Sequence, residues 1–243
     1  MRRLLPILVA AAALAAAAAL AAPAAAQAAK VELMVVGKDR VLRGPAEVRL
    51  KERTVKVSGR RCRVGAATPL SVLASTSLSL GFRDYARCGR KPRNAGGLYV
   101  TKVAGERERG AGGWVYKVGR RAGTTAAADP TGSFGNGRRL KDGERVTWYW
   151  CVMAGRCQRT LEVRPDRAAA APGEALRVTV RGYDDIGKGV AVNGATVTLG
   201  SATATTGADG TATLTVPAAT GRLDLEAARD GMVPAFPAEV RVG

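Results

Sequence analysis

The chain has 243 residues, with 38 lysines and arginines against 20 aspartates and glutamates, and no histidine. Without an imidazole, catalytic triads that use a histidine base and histidine-ligated metal sites are excluded. The formal charge of +18 points to anionic partners: phosphate polymers, acidic glycans, anionic membrane or nucleic acid.

The chain opens with Met1-Arg2-Arg3, an apolar run over residues 4–22, Pro23 and small residues to Ala28. This is the order of a secretory signal peptide, with Ala26-Gln27-Ala28 as an A-x-A cleavage site and Ala24-Ala25-Ala26 as a second candidate. The alternative is retention as a membrane anchor, since the run is long enough to span a bilayer. Residues 1–28 are therefore read as a signal, and the mature protein is expected to be extracytoplasmic or associated with the cell envelope.

The charge is unevenly spread. Residues 29–165 hold 29 basic and 11 acidic side chains, and residues 166–243 hold 7 and 9. The excess lies in the first part alone, which implies two domains of different character.

In the first part, Val31, Leu33 and Val35 alternate with Glu32 and Met34, which predicts a strand. Val48 and Leu50, then Val55 and Val57, continue the pattern. Thr68-Pro69 reads as a helix N-cap followed by N1, opening a short helix with Leu70, Val72 and Leu73. Leu78, Leu80 and Phe82 alternate as a strand, and residues 90–97 form a loop by their proline and glycine content. Residues 99–103 resume the strand pattern. Trp114, Tyr116 and Val118 share one strand face, with Lys117 on the other. After a glycine-rich loop over 119–137, Val146, Trp148, Trp150 and Val152 share the face of a further strand, with Cys151 opposite. Leu161 and Val163 close this domain.

Residues 164–173 contain two prolines and no apolar period, and are read as a linker. Beyond it, short alternating segments at 176–180, 196–199, 203–206, 211–216, 223–227 and 238–242 predict a sandwich. Gly207-Ala208-Asp209-Gly210 is expected to join two of them as a hairpin. The fold class is thus mainly β: a β-grasp-like domain with one short helix over residues 29–163, the linker, and an immunoglobulin-like β-sandwich over 174–243.

Four cysteines in an exported chain imply two disulfides, with three possible connectivities. Pairing Cys62 with Cys88 and Cys151 with Cys157 is favoured, because each pair is close in sequence. A metal site is not expected, since no cysteine pair has C-x₂₋₄-C spacing. Asp184-Asp185 is read as a turn, with calcium binding as the alternative.

Arg60, Arg61 and Arg63 flank Cys62, and Arg87, Arg90, Lys91 and Arg93 flank Cys88. If those cysteines are bonded, seven cations meet around one bridge, and guanidinium forks suit phosphate and carboxylate groups. Arg120 and Arg121, with Arg138, Arg139 and Lys141, are candidates to extend that patch. Trp114, Tyr116, Trp148 and Trp150 form an aromatic face that is either core or a ligand platform.

The segments Trp114-Val115-Tyr116 and Leu140-Lys141-Asp142-Gly143-Glu144-Arg145-Val146-Thr147-Trp148-Tyr149-Trp150 resemble the transcobalamin-C-terminal-like domain of exported bacterial proteins. The resemblance spans about residues 31–163 and implies a β-grasp-like fold with its single helix at Thr68–Leu73. The chain has Gly119-Arg120-Arg121 where that family often has Asn-Gly, and it lacks the helical barrel that holds cobalamin in transcobalamin itself. Asn193-Gly194-Ala195-Thr196-Val197 and Thr206-Gly207-Ala208-Asp209-Gly210-Thr211-Ala212 resemble bacterial immunoglobulin-like or carboxypeptidase-regulatory-like modules, which serve as spacers, stalks or docking units.

The chain has no P-loop, dinucleotide fingerprint or G-x-S-x-G elbow, and no cofactor is implied. The expectation is a secreted, non-catalytic protein that contacts an anionic cell-wall or surface polymer through its basic domain. The alternatives are small-ligand capture on the aromatic face, cobalamin-like by analogy, and a purely structural envelope or adhesion role. Intracellular nucleic acid is not an expected partner, and membrane contact is expected only through the signal or an uncleaved anchor. The sequence does not set the oligomeric state.

Overall fold

A computed structural model of the protein describes residues 29–152 and 156–243. Residues 1–28, read above as a signal, lie outside the described residues. The protein is mainly β, with one short α-helix and one 3₁₀ helix among the described residues.

The N-terminal sheet runs in the order Val41–Arg49, Lys30–Val36, Arg145–Val152, Gly112–Val118, Arg121–Ala122. Its central pair, Lys30–Val36 with Arg145–Val152, is parallel, and its outer neighbours are antiparallel. An antiparallel hairpin beside a parallel central pair is the arrangement of a β-grasp sheet. Val31, Leu33 and Val35 turn into the first core, as their alternation predicts. The aromatic strands pair in register, Trp148 opposite Tyr116 and Trp150 opposite Trp114, with ring centroids 5.4 and 5.7 Å apart.

The helix Pro69–Leu73 starts where the sequence places it. Thr68 accepts from the Ser71 amide and Ser71 returns the bond, a reciprocal cap that satisfies two free donors. All five helical residues are buried, and the Pro69 carbonyl accepts the Trp148 indole N–H at 3.1 Å. Two smaller sheets complete this unit: the hairpin Arg53–Val57 with Arg60–Val64, and Leu80–Asp84, Leu98–Val103 and Glu106–Arg107. The hairpin turns on Ser58 and Gly59, both at positive φ, as a tight two-residue turn requires.

The second core lies between two sheets. One is ordered Gly189–Ala191, Ala175–Tyr183, Thr160–Pro165, Val233–Phe236, with Thr211–Thr215 also pairing Ala175–Tyr183. The other is ordered Ala169–Ala170, Ala238–Val242, Gly221–Ala228, Thr196–Leu199, Ala202–Thr205.

Three sequence expectations are corrected here. Leu161 and Val163 belong to the second core, and the strand that carries them pairs with Ala175–Tyr183. Alternation reports that one face is buried but not which core buries it. The stretch 164–173 is accordingly more than a linker: Arg164 and Pro165 end that strand, and Ala169–Ala170 pairs with Ala238–Val242. The Gly207–Gly210 turn forms, with the Gly207 amide on the Thr211 carbonyl, but it does not close a hairpin. Ala202–Thr205 pairs with Thr196–Leu199, whereas Thr211–Thr215 pairs with Ala175–Tyr183 in the opposite sheet. The turn is an arch between sheets, which lets Leu214 and Leu199 approach one core from two sides.

A third cluster joins the two units. Met34, Val36, Tyr149 and Cys151, on the outer face of the N-terminal sheet, pack against Val233 and Phe236. The central strands are therefore covered on both faces.

Candidate functional site

The Cys62–Cys88 and Cys151–Cys157 disulfides are both present, and no free cysteine remains among the described residues. Cys62 faces inward from the Arg60–Val64 strand and is fully buried, so the residues on either side of it face out. The bridge holds residues 85–91 alongside that strand, and the Arg63 amide donates to the Gly89 carbonyl at 2.8 Å. Asp84 fixes the start of this loop. Its carboxylate accepts from the Cys88 amide at 2.9 Å, the Ala86 amide at 3.1 Å and the Arg60 guanidinium at 2.9 Å.

Two of the seven predicted cations are thereby engaged: Arg60 pairs with Asp84, and Arg63 pairs with Glu52. Arg61, Arg87, Arg90, Lys91 and Arg93 are exposed, and among the described residues no carboxylate lies within ion-pair distance of them. The structure adds a cation that the flanks of the cysteines do not show. Lys56, also exposed and unpaired, stands directly opposite Arg61 across the hairpin. Like charges facing each other across a strand pair are destabilising. The signal for it in the sequence is the Val55-Lys56-Val57 alternation, which becomes informative only once the register is known.

Arg120 and Arg121 do not extend this face. Arg120 forks onto Glu162 with contacts of 2.6 and 2.8 Å, and its guanidinium lies 4.5 Å from the Tyr183 ring centroid. Burial pushes the Glu162 carboxyl up, but hydrogen bonds and charge from Arg120 and Arg164 outweigh it and hold the group below its ordinary range. Arg121 lies over the Phe134 ring and against Gly187. Both arginines thus sit at the seam with the C-terminal sandwich. Arg138 pairs with Glu144 near them.

The four aromatic residues are buried side chains rather than an open platform. The Trp114 indole donates to the Glu106 carbonyl at 3.1 Å, and the Tyr116 hydroxyl donates to the Thr125 carbonyl at 2.9 Å. Trp150 packs over Gly112, with the Lys38 ammonium 4.3 Å from its ring centroid. Trp114, Tyr116 and Trp148 do, however, wall one end of a cavity of about 430 Å³ that also reaches Leu98, Val100 and Asp185.

Asp184 behaves as a turn residue, accepting from the Ile186 and Lys188 amides at 3.2 and 2.8 Å. Among the described residues the one grouping of metal-ligand types is Cys62, Asp84 and Cys88, and its two sulfurs are bonded to each other. No helix among the described residues is long and apolar enough to cross a membrane. Comparison of the sequence with protein-family models and with curated proteins finds no match.

Proposed function

We propose that the protein is a non-catalytic, extracytoplasmic binding protein that grips an anionic cell-surface polymer through the face around Cys62–Cys88. One observation carries this reading: Lys56 and Arg61 oppose each other on a hairpin beside a loop bearing Arg87, Arg90, Lys91 and Arg93, with no acid among the described residues paired to any of them. Such a face is costly to the free protein and becomes favourable when phosphate or carboxylate groups settle between the cations. The two disulfides fit an oxidising compartment outside the cytoplasm. The carboxylates beside the face, Asp84 and Glu52, are held by arginines, which supports binding over acid–base chemistry.

We further propose that the N-terminal unit is related to transcobalamin-C-terminal-like domains, and the C-terminal unit to bacterial immunoglobulin-like modules. The in-register pairing of Trp114 and Tyr116 with Trp150 and Trp148 supports the first assignment.

The test is retention on immobilised polyphosphate and polyglutamate across a salt series. Binding should weaken steeply with salt, and the combined change of Arg61, Arg90 and Arg93 to alanine should reduce affinity by about tenfold or more. Equal retention of that variant and the native protein would remove the reading.

A further inference from the structure

The cavity beside Trp114 differs from the rest of this molecule in its chemistry. In a protein of net charge +18, Asp185 is the only charged residue among the described residues that line it. That carboxylate is already occupied, by the Tyr149 hydroxyl at 3.4 Å and the Lys117 ammonium at 3.7 Å. The remaining walls are aromatic and aliphatic side chains, glycine backbone, Thr125 and the disulfide-bonded Cys157. A polyanion finds no counter-charge in it.

The cavity also has a free hydrogen-bonding edge. The Gly119 amide bonds to the Arg145 carbonyl, so the ladder between Gly112–Val118 and Arg145–Val152 turns the amides and carbonyls of residues 112, 114, 116 and 118 outward. Gly112 meets Arg109, Tyr116 receives the Gly123 amide, and Val118 pairs with Arg121. Trp114 alone, among these four, has no strand partner on that side among the described residues. Across the gap, Leu98–Val103 is covered by Glu106–Arg107 at Lys102 and Val103 and by the Glu108 amide at the Thr101 carbonyl, which leaves the Leu98 to Val100 edge facing the cavity.

We propose that this cavity is a binding site for a compact, uncharged aromatic molecule whose polar edge pairs with the main chain of Trp114. The rings of Trp114, Tyr116 and Trp148 supply the stacking and edge contacts such a molecule favours. At about 430 Å³ the space is at the lower end of the usual range for small-molecule sites, about 300–1,000 Å³. A ligand of corrinoid size would not be enclosed. The cavity borders the basic segment at Tyr85, Gly96 and Gly97, but none of the cations proposed to hold the polymer lines it.

The probe is N-phenyl-1-naphthylamine, a neutral two-ring-system amine whose emission rises in apolar surroundings, titrated into the full mature chain. Expected are saturable 1:1 binding, energy transfer from the buried tryptophans, and an affinity that barely changes with salt. Ala126→Trp, at an exposed position on the cavity wall, should block entry and weaken binding by about tenfold or more. Ala122→Leu, elsewhere on the wall, gives the same readout should the first variant not fold. The variant with Arg61, Arg90 and Arg93 changed to alanine should bind the probe as the native protein does, which separates this proposal from the polymer reading. Unsaturable binding, native affinity in the blocked variants, or binding only of the sulfonated analogue and only at low salt would each overturn it.

Discussion

The Lys117 ammonium donates to the main-chain carbonyl of Tyr183 at 2.9 Å, across the seam between the N-terminal sheet and the sandwich. It also reaches the Asp184 carbonyl at 3.0 Å, and its side chain is fully buried. Burial pushes this lysine down to about 8, against the opposing pull of Asp185 and Asp184.

That shift has a definite sign. Between about pH 8 and 10.5 an unfolded lysine keeps a proton that the folded one has released, so stability rises with pH over that window. Tyr149 acts in the opposite direction. Burial and the Asp185 carboxylate raise its phenol, so above about pH 10 the unfolded chain ionises first and stability falls. Urea midpoints taken from pH 7 to 11 should therefore climb from about 8, peak near 10 and decline. A flat profile between 8 and 10 would contradict the burial of Lys117. Lys117→Met should abolish the climb and, by removing the ammonium bonds to the Tyr183 and Asp184 carbonyls, cost about 1–3 kcal/mol at pH 7.

The Arg120–Glu162 fork spans the same seam, and it is half-exposed on the arginine side. Arg120→Lys keeps the charge but loses the second hydrogen bond and the stack on Tyr183. The expected loss is about 1 kcal/mol, read as a shift of the urea midpoint. The carboxyl side predicts an acid limb. Glu162 is held low when folded, so its contribution is complete above its unfolded value and disappears as pH falls through the folded one. Glu162→Gln should flatten that limb.

These residues show why part of the architecture was legible in sequence and part was not. Trp148 and Trp150 announce a strand and its inward face, and Thr68-Pro69 announces the helix, because both signals are local. Cys62 and Cys88 find each other by proximity in the chain. Lys117 marks the opposite face as polar, and polarity normally means solvent. Nothing near it in sequence reveals that Phe236 and Val233, more than a hundred residues on, cover that face. The same limit hid Lys56, whose importance rests on the Lys56–Arg61 register, and the cavity, which exists only where the Leu98–Val103 and Gly112–Val118 edges meet.

The two disulfides should not contribute equally. Cys62–Cys88 closes a separation of 26 residues and Cys151–Cys157 one of 6. Chain entropy assigns them about 3.5 and about 2.4 kcal/mol. The Cys62→Ala/Cys88→Ala double variant should accordingly unfold at lower urea than the Cys151→Ala/Cys157→Ala variant. It should also lose polymer retention under conditions where it remains folded, because residues 85–91 then lose their one covalent tie and keep the hydrogen bonds to Asp84, Gly97 and Arg63. Retention at the native level would show that the bridge does not organise the basic face.

The opposition of Lys56 and Arg61 separates a binding surface from an accident of composition. Lys56→Glu turns a like-charge pair into an attractive one at the same register position. On stability alone the variant should gain about 0.2–1 kcal/mol, visible as a higher urea midpoint. If the face exists to hold an anion, the same variant should bind polyphosphate more weakly, because a carboxylate now competes for Arg61 where the polymer would sit. Stability and retention must therefore move in opposite directions. Raised stability with retention unchanged would mark the pair as incidental charge, and the anionic partner would then have to be sought elsewhere on the protein.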